Sequence, residues 1–115
     1  MSMLDVLFIG VSDIEQVLLE NFIDNPLQVR VANNLSQVES QLQAKKPALT
    51  ICDAEIPGLD IRNLCDASLF EKCVILSSRD KHIERRKSLL QVEERYLTRP
   101  YSQEQLNQAI GVALH

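Results

Sequence analysis

Residues 48–60 read A-L-T-I-C-D-A-E-I-P-G-L-D. A short apolar run ends on a carboxylate and breaks at once into Pro57-Gly58, so Ala48 to Cys52 is predicted as a strand with Asp53 at its carboxyl end. Two readings of Asp53 stand at this point. It is a reactive carboxylate at a strand tip, or a turn aspartate of the kind that follows many strands and accepts backbone N–H bonds. The flanking segments decide what holds it.

Upstream, Leu4 to Ile9 (L-D-V-L-F-I) reads as a mostly buried strand closed by Gly10. Ser12 and Glu15 have the capping-box spacing S-x-x-E, and Ile14, Val17, Leu18 and Phe22 then recur at helical intervals until Asp24-Asn25-Pro26 stops them. Leu27 to Val31 is a second strand. Asn34 caps a helix carrying Leu35, Val38 and Leu42, which ends at Lys45-Lys46-Pro47.

Downstream, Asp60 opens a weaker helical stretch with Ile61, Leu64 and Cys65, followed by a fourth strand at Cys73 to Ser77. Asp80 can cap a polar helix whose apolar contacts are Ile83, Leu89 and Leu90. Tyr96 to Thr98 is a short fifth strand cut off by Arg99-Pro100, because proline cannot extend a ladder. Ser102 and Gln105 form a second capping box, with Leu106, Ala109, Ile110 and Ala113 on one helical face. Strict alternation of strands and helices implies an α/β fold whose parallel sheet is covered on both sides, since parallel strands need crossover connections.

The 115 residues suit one domain, 1–115, with a real core. With 45% apolar and 24% charged residues the chain is far from the signature of disorder, and a net charge of -4 makes no general case for nucleic-acid binding. No apolar run approaches the roughly 18 residues a membrane span needs. The opening M-S-M-L-D lacks a basic segment before an apolar stretch, so a cytoplasmic location is expected. The three cysteines form no C-x-x-C pair, and Cys52 and Cys73 lie in apolar runs, as small buried hydrophobes do. Two histidines without a partner motif give no metal site.

In an open parallel sheet, ligands bind beyond the carboxyl ends of the strands. That rule selects Gly10 to Asp13, Asp53 to Glu55, Ser77-Ser78 and Arg99-Pro100. A strand-tip carboxylate can attack a phosphoryl donor, a hydroxyl can hydrogen-bond the transferred group, and a fixed cation can neutralise its charge. Such chemistry also needs a divalent cation held by further oxygens.

The segment A-L-T-I-C-D-A-E-I-P-G-L-D resembles the phosphoacceptor segment of bacterial two-component receiver domains, and the likeness runs from the first strand to the last helix. It places Asp53 at the phosphorylated aspartate, Ser77 at the switch hydroxyl, Tyr96 at the switch aromatic and Arg99 at the family's lysine, with Glu55 at the position that faces the reacting phosphate. The implied fold is a flavodoxin-like (βα)5 three-layer sandwich with strand order 2-1-3-4-5. Each residue also has a plain structural reading: Ser77 as a strand-end serine bonded to backbone, Tyr96 as a half-buried aromatic, Glu55 as a solvated loop residue.

Three departures qualify the resemblance. Receivers end the first strand with an acidic pair that holds Mg2+, and this chain has Gly10-Val11 there, so only Asp53, Glu55 and Asp13 are candidate ligands. As an early helix residue, Asp13 is more simply explained by the helix dipole. Arg99 replaces a compact ammonium by a planar fork suited to carboxylate pairing, which points to an ion pair with Asp53. The stretch from Asp53 to Ser77 is also short for a receiver.

The resemblance therefore implies a degenerate receiver, not an enzyme, acting through protein contacts with weak or no Mg2+-dependent phosphorylation. Its partners would be a sensor histidine kinase or phosphotransfer protein, and a second copy docked through the fourth helix, fifth strand and fifth helix, where Lys81 to Lys87 form a basic cluster. One alternative is a working receiver controlling a transcription-regulator or hybrid-kinase output. Another is a small nucleotide-binding or enzymatic protein of similar topology. The loop G-V-S-D lacks a glycine-rich phosphate pattern, and no Cys-His or Ser-His arrangement is apparent.

Overall fold

The computed structural model describes residues 3–53, 72–78 and 96–114. Five strands, β1 (Leu4–Ile9), β2 (Leu27–Ala32), β3 (Leu49–Asp53), β4 (Cys73–Ser77) and β5 (Tyr96–Thr98), form one parallel sheet in the order β2-β1-β3-β4-β5. Three helices are described: α1 (Asp13–Phe22), α2 (Leu35–Ala44) and α3 (Gln103–Leu114). The expected strand order holds. The expected helical stretches after Asp60 and Asp80, with Glu55, Pro57-Gly58, Cys65 and the 81–87 cluster, lie outside the described residues.

Why the strands read as unbroken apolar runs is clear from their burial. All of β4 is buried, as is β1 from Asp5 to Ile9, so both faces of the central strands are covered. Alternation sends Val6, Phe8, Leu49, Ile51, Val74 and Leu76 into one core with Leu19 of α1 and Leu106 and Ile110 of α3. Leu7, Ile9, Cys52 and Ile75 are equally buried on the other face. Cys52 and Cys73 are both buried.

The second and third strands each run one residue past their expected ends. Asp53 is consequently the last ladder residue of β3, opposite Leu76, and not the first residue of a loop. Its ladder partner is on the β4 side alone, since the pairing of β3 with β1 ends at Cys52, so its carboxylate is presented from the last paired residue of the strand.

The first helix corrects the periodicity. Ile14, Val17 and Leu18 are exposed at 86%, 58% and 42%, while the face that meets the core carries Leu19, with Phe22 and then Ile23 at its end. Two helical stripes compete in this segment. One runs Ile14, Val17, Leu18 and Phe22, and the other runs Glu15, Leu19, Phe22, Ile23 at spacings of four, three and one, so the two share Phe22. The second turns inward although it starts with a carboxylate, because that carboxylate finds its partners at the sheet's end. The Ser12 cap is present, accepting the Glu15 N–H at 3.2 Å, and the Glu15 side chain reaches the sheet's end, as the site geometry details.

The second capping box closes in both directions, Gln105 N–H to Ser102 Oγ at 3.1 Å and Ser102 N–H to Gln105 Oε1 at 2.8 Å. As expected, α3 buries Leu106, Ala109, Ile110 and Ala113. Its Asn107 and Gln103 amides donate to the carbonyl of Phe22 at 2.9 and 3.1 Å, satisfying an acceptor that the end of α1 leaves without a helical partner.

Candidate functional site

Gly10 closes β1 with φ 70, the left-handed region that glycine enters without strain, and its N–H bonds the Ala32 carbonyl at 2.9 Å. Val11 follows as a buried core residue at 4% exposure. The two positions where the resemblance calls for an acidic pair thus serve a tight turn and the apolar core. Neither offers a side-chain oxygen.

Across the sheet, Arg99 leaves β5 with its N–H bonded to the carbonyl of fully buried Ser77 at 2.8 Å. Its side chain crosses the carboxyl ends of the strands and ties three elements together. Nε and Nη2 grip Glu15 of α1 in a fork, at 2.8 Å to Oε2 and 2.7 Å to Oε1. Nη2 also reaches Oδ2 of Asp53 at 3.0 Å, and Nη1 reaches Oγ of Ser78 at 3.2 Å. The phenol of Tyr101 donates to Glu15 Oε2 at 2.9 Å. The Arg99–Pro100 peptide is cis.

The expected pairing of Arg99 with Asp53 is present, yet the fork itself goes to Glu15. Sequence reasoning used Glu15 as a capping residue and gave Tyr101 no role. The available signal was the fork: a planar guanidinium presents parallel donors that match one whole carboxylate, and Glu15 lies at the head of the stripe containing Leu19. Ser78 supplies a hydroxyl to Arg99, while the Ser77 carbonyl accepts the Arg99 N–H. Tyr96 is placed in β5 opposite Ile75, and the switch expected of its ring lies outside what is described. Asp13 is exposed in the first turn of α1.

The electrostatics follow from this crowding. Burial alone would push the Glu15 carboxyl up, but the hydrogen bonds from Arg99 and Tyr101 and the guanidinium charge outweigh it and hold Glu15 below its ordinary value. Arg99 is pushed further up, chiefly by its bonds to Glu15. The Tyr101 phenol is also pushed up, first by burial and then by donating to Glu15. Two carboxylates share one guanidinium.

The Mg2+ that the resemblance implies does not fit the described residues. Gly10 and Val11 cannot ligate, Glu15 and Asp53 both hold Arg99, and no three carboxylate, imidazole or thiolate groups among the described residues come together where a metal could sit. Tyr101→Phe should lower the unfolding free energy by about 1 kcal/mol, the worth of one hydrogen bond, and move the Glu15 titration upward. Urea denaturation and a carboxyl NMR titration read the two effects.

No family model and no curated protein sequence matches the chain. Solved structures do. The chemotaxis response regulator CheY4 of Vibrio cholerae superposes with a TM-score of 0.74 at 15% identity, covering 97% of this chain and 99% of that one. The signal receiver domain of an HD domain-containing protein from Pseudomonas fluorescens Pf-5 gives 0.76 at 19% identity, over 98% and 95%. A response regulator receiver modulated diguanylate cyclase from Pelobacter carbinolicus gives 0.63 at 24% identity, over 97% and 96%. The chain has the fold of response regulator receiver domains.

Proposed function

We propose that the chain is a receiver-like signalling domain in which Asp53 keeps the place of the phosphoacceptor but is weakly or never phosphorylated with Mg2+, and that it acts through protein contacts. The observation that carries this reading is the Arg99 bridge. The guanidinium that should meet an incoming phosphoryl group is engaged by Glu15 and Asp53, and the acidic pair at the end of β1 is replaced by a turn glycine and a core valine. Phosphoryl transfer depends on positioning and charge neutralisation. A guanidinium already shared by two carboxylates is poorly placed to receive a phosphoryl dianion as well.

Contact with other proteins is supported by α1. Its outward stripe of Ile14, Val17 and Leu18 flanks Ser12, Asn21 and the Glu15–Arg99 pair, forming an apolar groove of about 580 Å³ directly beside the site. A histidine kinase or phosphotransfer protein remains the expected partner class for such a fold. For homodimerisation, the fourth helix lies outside the described residues, so that reading rests on the resemblance. No helix among the described residues is long and apolar enough to cross a membrane.

Titration with Mg2+ and beryllofluoride, followed by amide NMR, tests the proposal. Amides of Asp53, Ser77 and Arg99 are expected to stay in place with Mg2+ alone and with both together. Saturable shifts centred on those three would sink it in favour of a working phosphoacceptor.

A further inference from the structure

We infer that Arg99 is a tethered counter-cation that stands in for an exchangeable divalent ion, and that Glu15 is the positioning residue that holds it there. The inference deepens the degenerate reading of the site and rests on it. Its basis is one nitrogen: Nη2 of Arg99 lies 2.7 Å from Glu15 Oε1 and 3.0 Å from Asp53 Oδ2, so two carboxylates from α1 and β3 converge on a single cationic point. Their oxygens are separated by no more than two hydrogen-bond lengths. A divalent ion bridging carboxylates makes the same kind of convergence, with oxygens at about 2.0–2.6 Å from the metal.

Charge matching supports the substitution. Without Arg99 the two carboxylates would lose the cation they share, and a divalent ion is the kind of cation that bridges carboxylates in the same way. With Arg99 in place the same pair is bridged by a cation that cannot dissociate, because it is part of the chain and because its guanidinium stays charged at any ordinary pH. The fork to Glu15 fixes the plane of the group, Tyr101 fixes Glu15, and Ser78 holds the remaining nitrogen. The end of β3, the start of α1 and the segment after β5 are therefore joined independently of metal. In a metal-dependent site that junction would come and go with the ion, whereas here it is permanent.

The cation's role makes Glu15 more than a stabilising partner. A surface salt bridge would leave Asp53 indifferent to what happens at α1. Here the same nitrogen serves both carboxylates, so removing the cation should convert the pair into a metal site, and removing Glu15 as well should abolish that site again.

The test uses Mn2+ alone as probe, with paramagnetic broadening of amides as readout, on the wild-type chain, Arg99→Ala, Arg99→Gln and the double variant Arg99→Ala/Glu15→Gln. Arg99→Gln removes the charge and keeps a polar, though shorter, side chain, so it carries the test if the alanine variant loses its fold, which amide dispersion reports. The neutralised variants should bind Mn2+ at least about tenfold more tightly than the wild type, in the millimolar range or below, with broadening centred on Gly10, Glu15, Asp53 and Ser78. The double variant should fall back to wild-type behaviour. The inference is overturned if folded Arg99→Gln binds no better than the wild type, or if the double variant binds as well as the single one. Either failure leaves the beryllofluoride result on the unaltered chain untouched, so the two readings fail separately.

Discussion

Arg30→Ala should lower the unfolding free energy by about 3 kcal/mol, the low end of the cost of stripping a buried charge of its partner. Asp5 sits in β1 at 7% exposure, and Arg30 of the neighbouring β2 grips it with Nε and Nη2 at 3.0 and 2.9 Å. The same guanidinium donates through Nη1 to the carbonyl of Gln41 at 3.1 Å, near the end of α2. One substitution therefore leaves a buried carboxylate without its counter-ion and takes one of two donors from the Gln41 carbonyl, which keeps the Lys45 N–H at 3.0 Å. For a chain of this size the loss corresponds to a drop in Tm on the order of 15 °C. Thermal and urea unfolding would measure it. The cost comes from the orphaned charge, not from the pair's net worth, so Asp5→Leu/Arg30→Leu should recover most of the loss. A double variant as unstable as Arg30→Ala would locate the cost in the contact to α2 instead.

This clamp and the Arg99 bridge mark where sequence patterns stop being informative. Continuous apolar runs announced the strands, because β1, β3 and β4 are buried on both faces and every position then selects for apolarity. The capping pairs announced the starts of α1 and α3, because their partners lie three residues apart in the chain. Asp53 and Arg99 were placed by the rule that strand ends gather chemistry, together with the resemblance of the surrounding segment. Contacts between distant residues leave no such trace: Glu15 meets Arg99 across 84 residues, and Asp5 meets Arg30 across 25.

The error in α1 has the same origin. Counting apolar residues selects Ile14, Val17, Leu18 and Phe22, and of these four Phe22 packs against the core while the other three are exposed. The inner stripe carries Glu15 to Arg99 as well as Leu19 and Ile23 to the core, with Phe22 common to both stripes. The displaced apolar residues are left on the surface. A charged residue heading an apolar stripe, four positions before a leucine, is the one local hint that such a pair exists.

Glu15→Gln should cost about 2 kcal/mol at neutral pH, because it removes the charge from a bidentate, charge-assisted pair while keeping the side chain's shape. The dependence on pH identifies the cause. Glu15 titrates below its ordinary value of 4.5 in the folded chain, so the unfolded chain binds its proton first as pH falls. Its contribution is complete above that ordinary value and is lost as pH falls through the lowered one. The gap in stability between wild type and Glu15→Gln should therefore be widest at pH 7 and narrow steadily below pH 4.5. Other carboxylates titrate in both proteins and largely cancel in the difference, which urea denaturation at a series of pH values reads directly. A gap that stayed constant with pH would mean that shape, not charge, holds Glu15 in place. In that case Arg99 would lack the fixed counter-charge that orients it, and the bridge between α1 and Asp53 would be a contact of packing, free to open when a phosphoryl group arrives. A gap that closes in acid makes the bridge ionic, and an ionic bridge competes with any incoming anion for the same guanidinium.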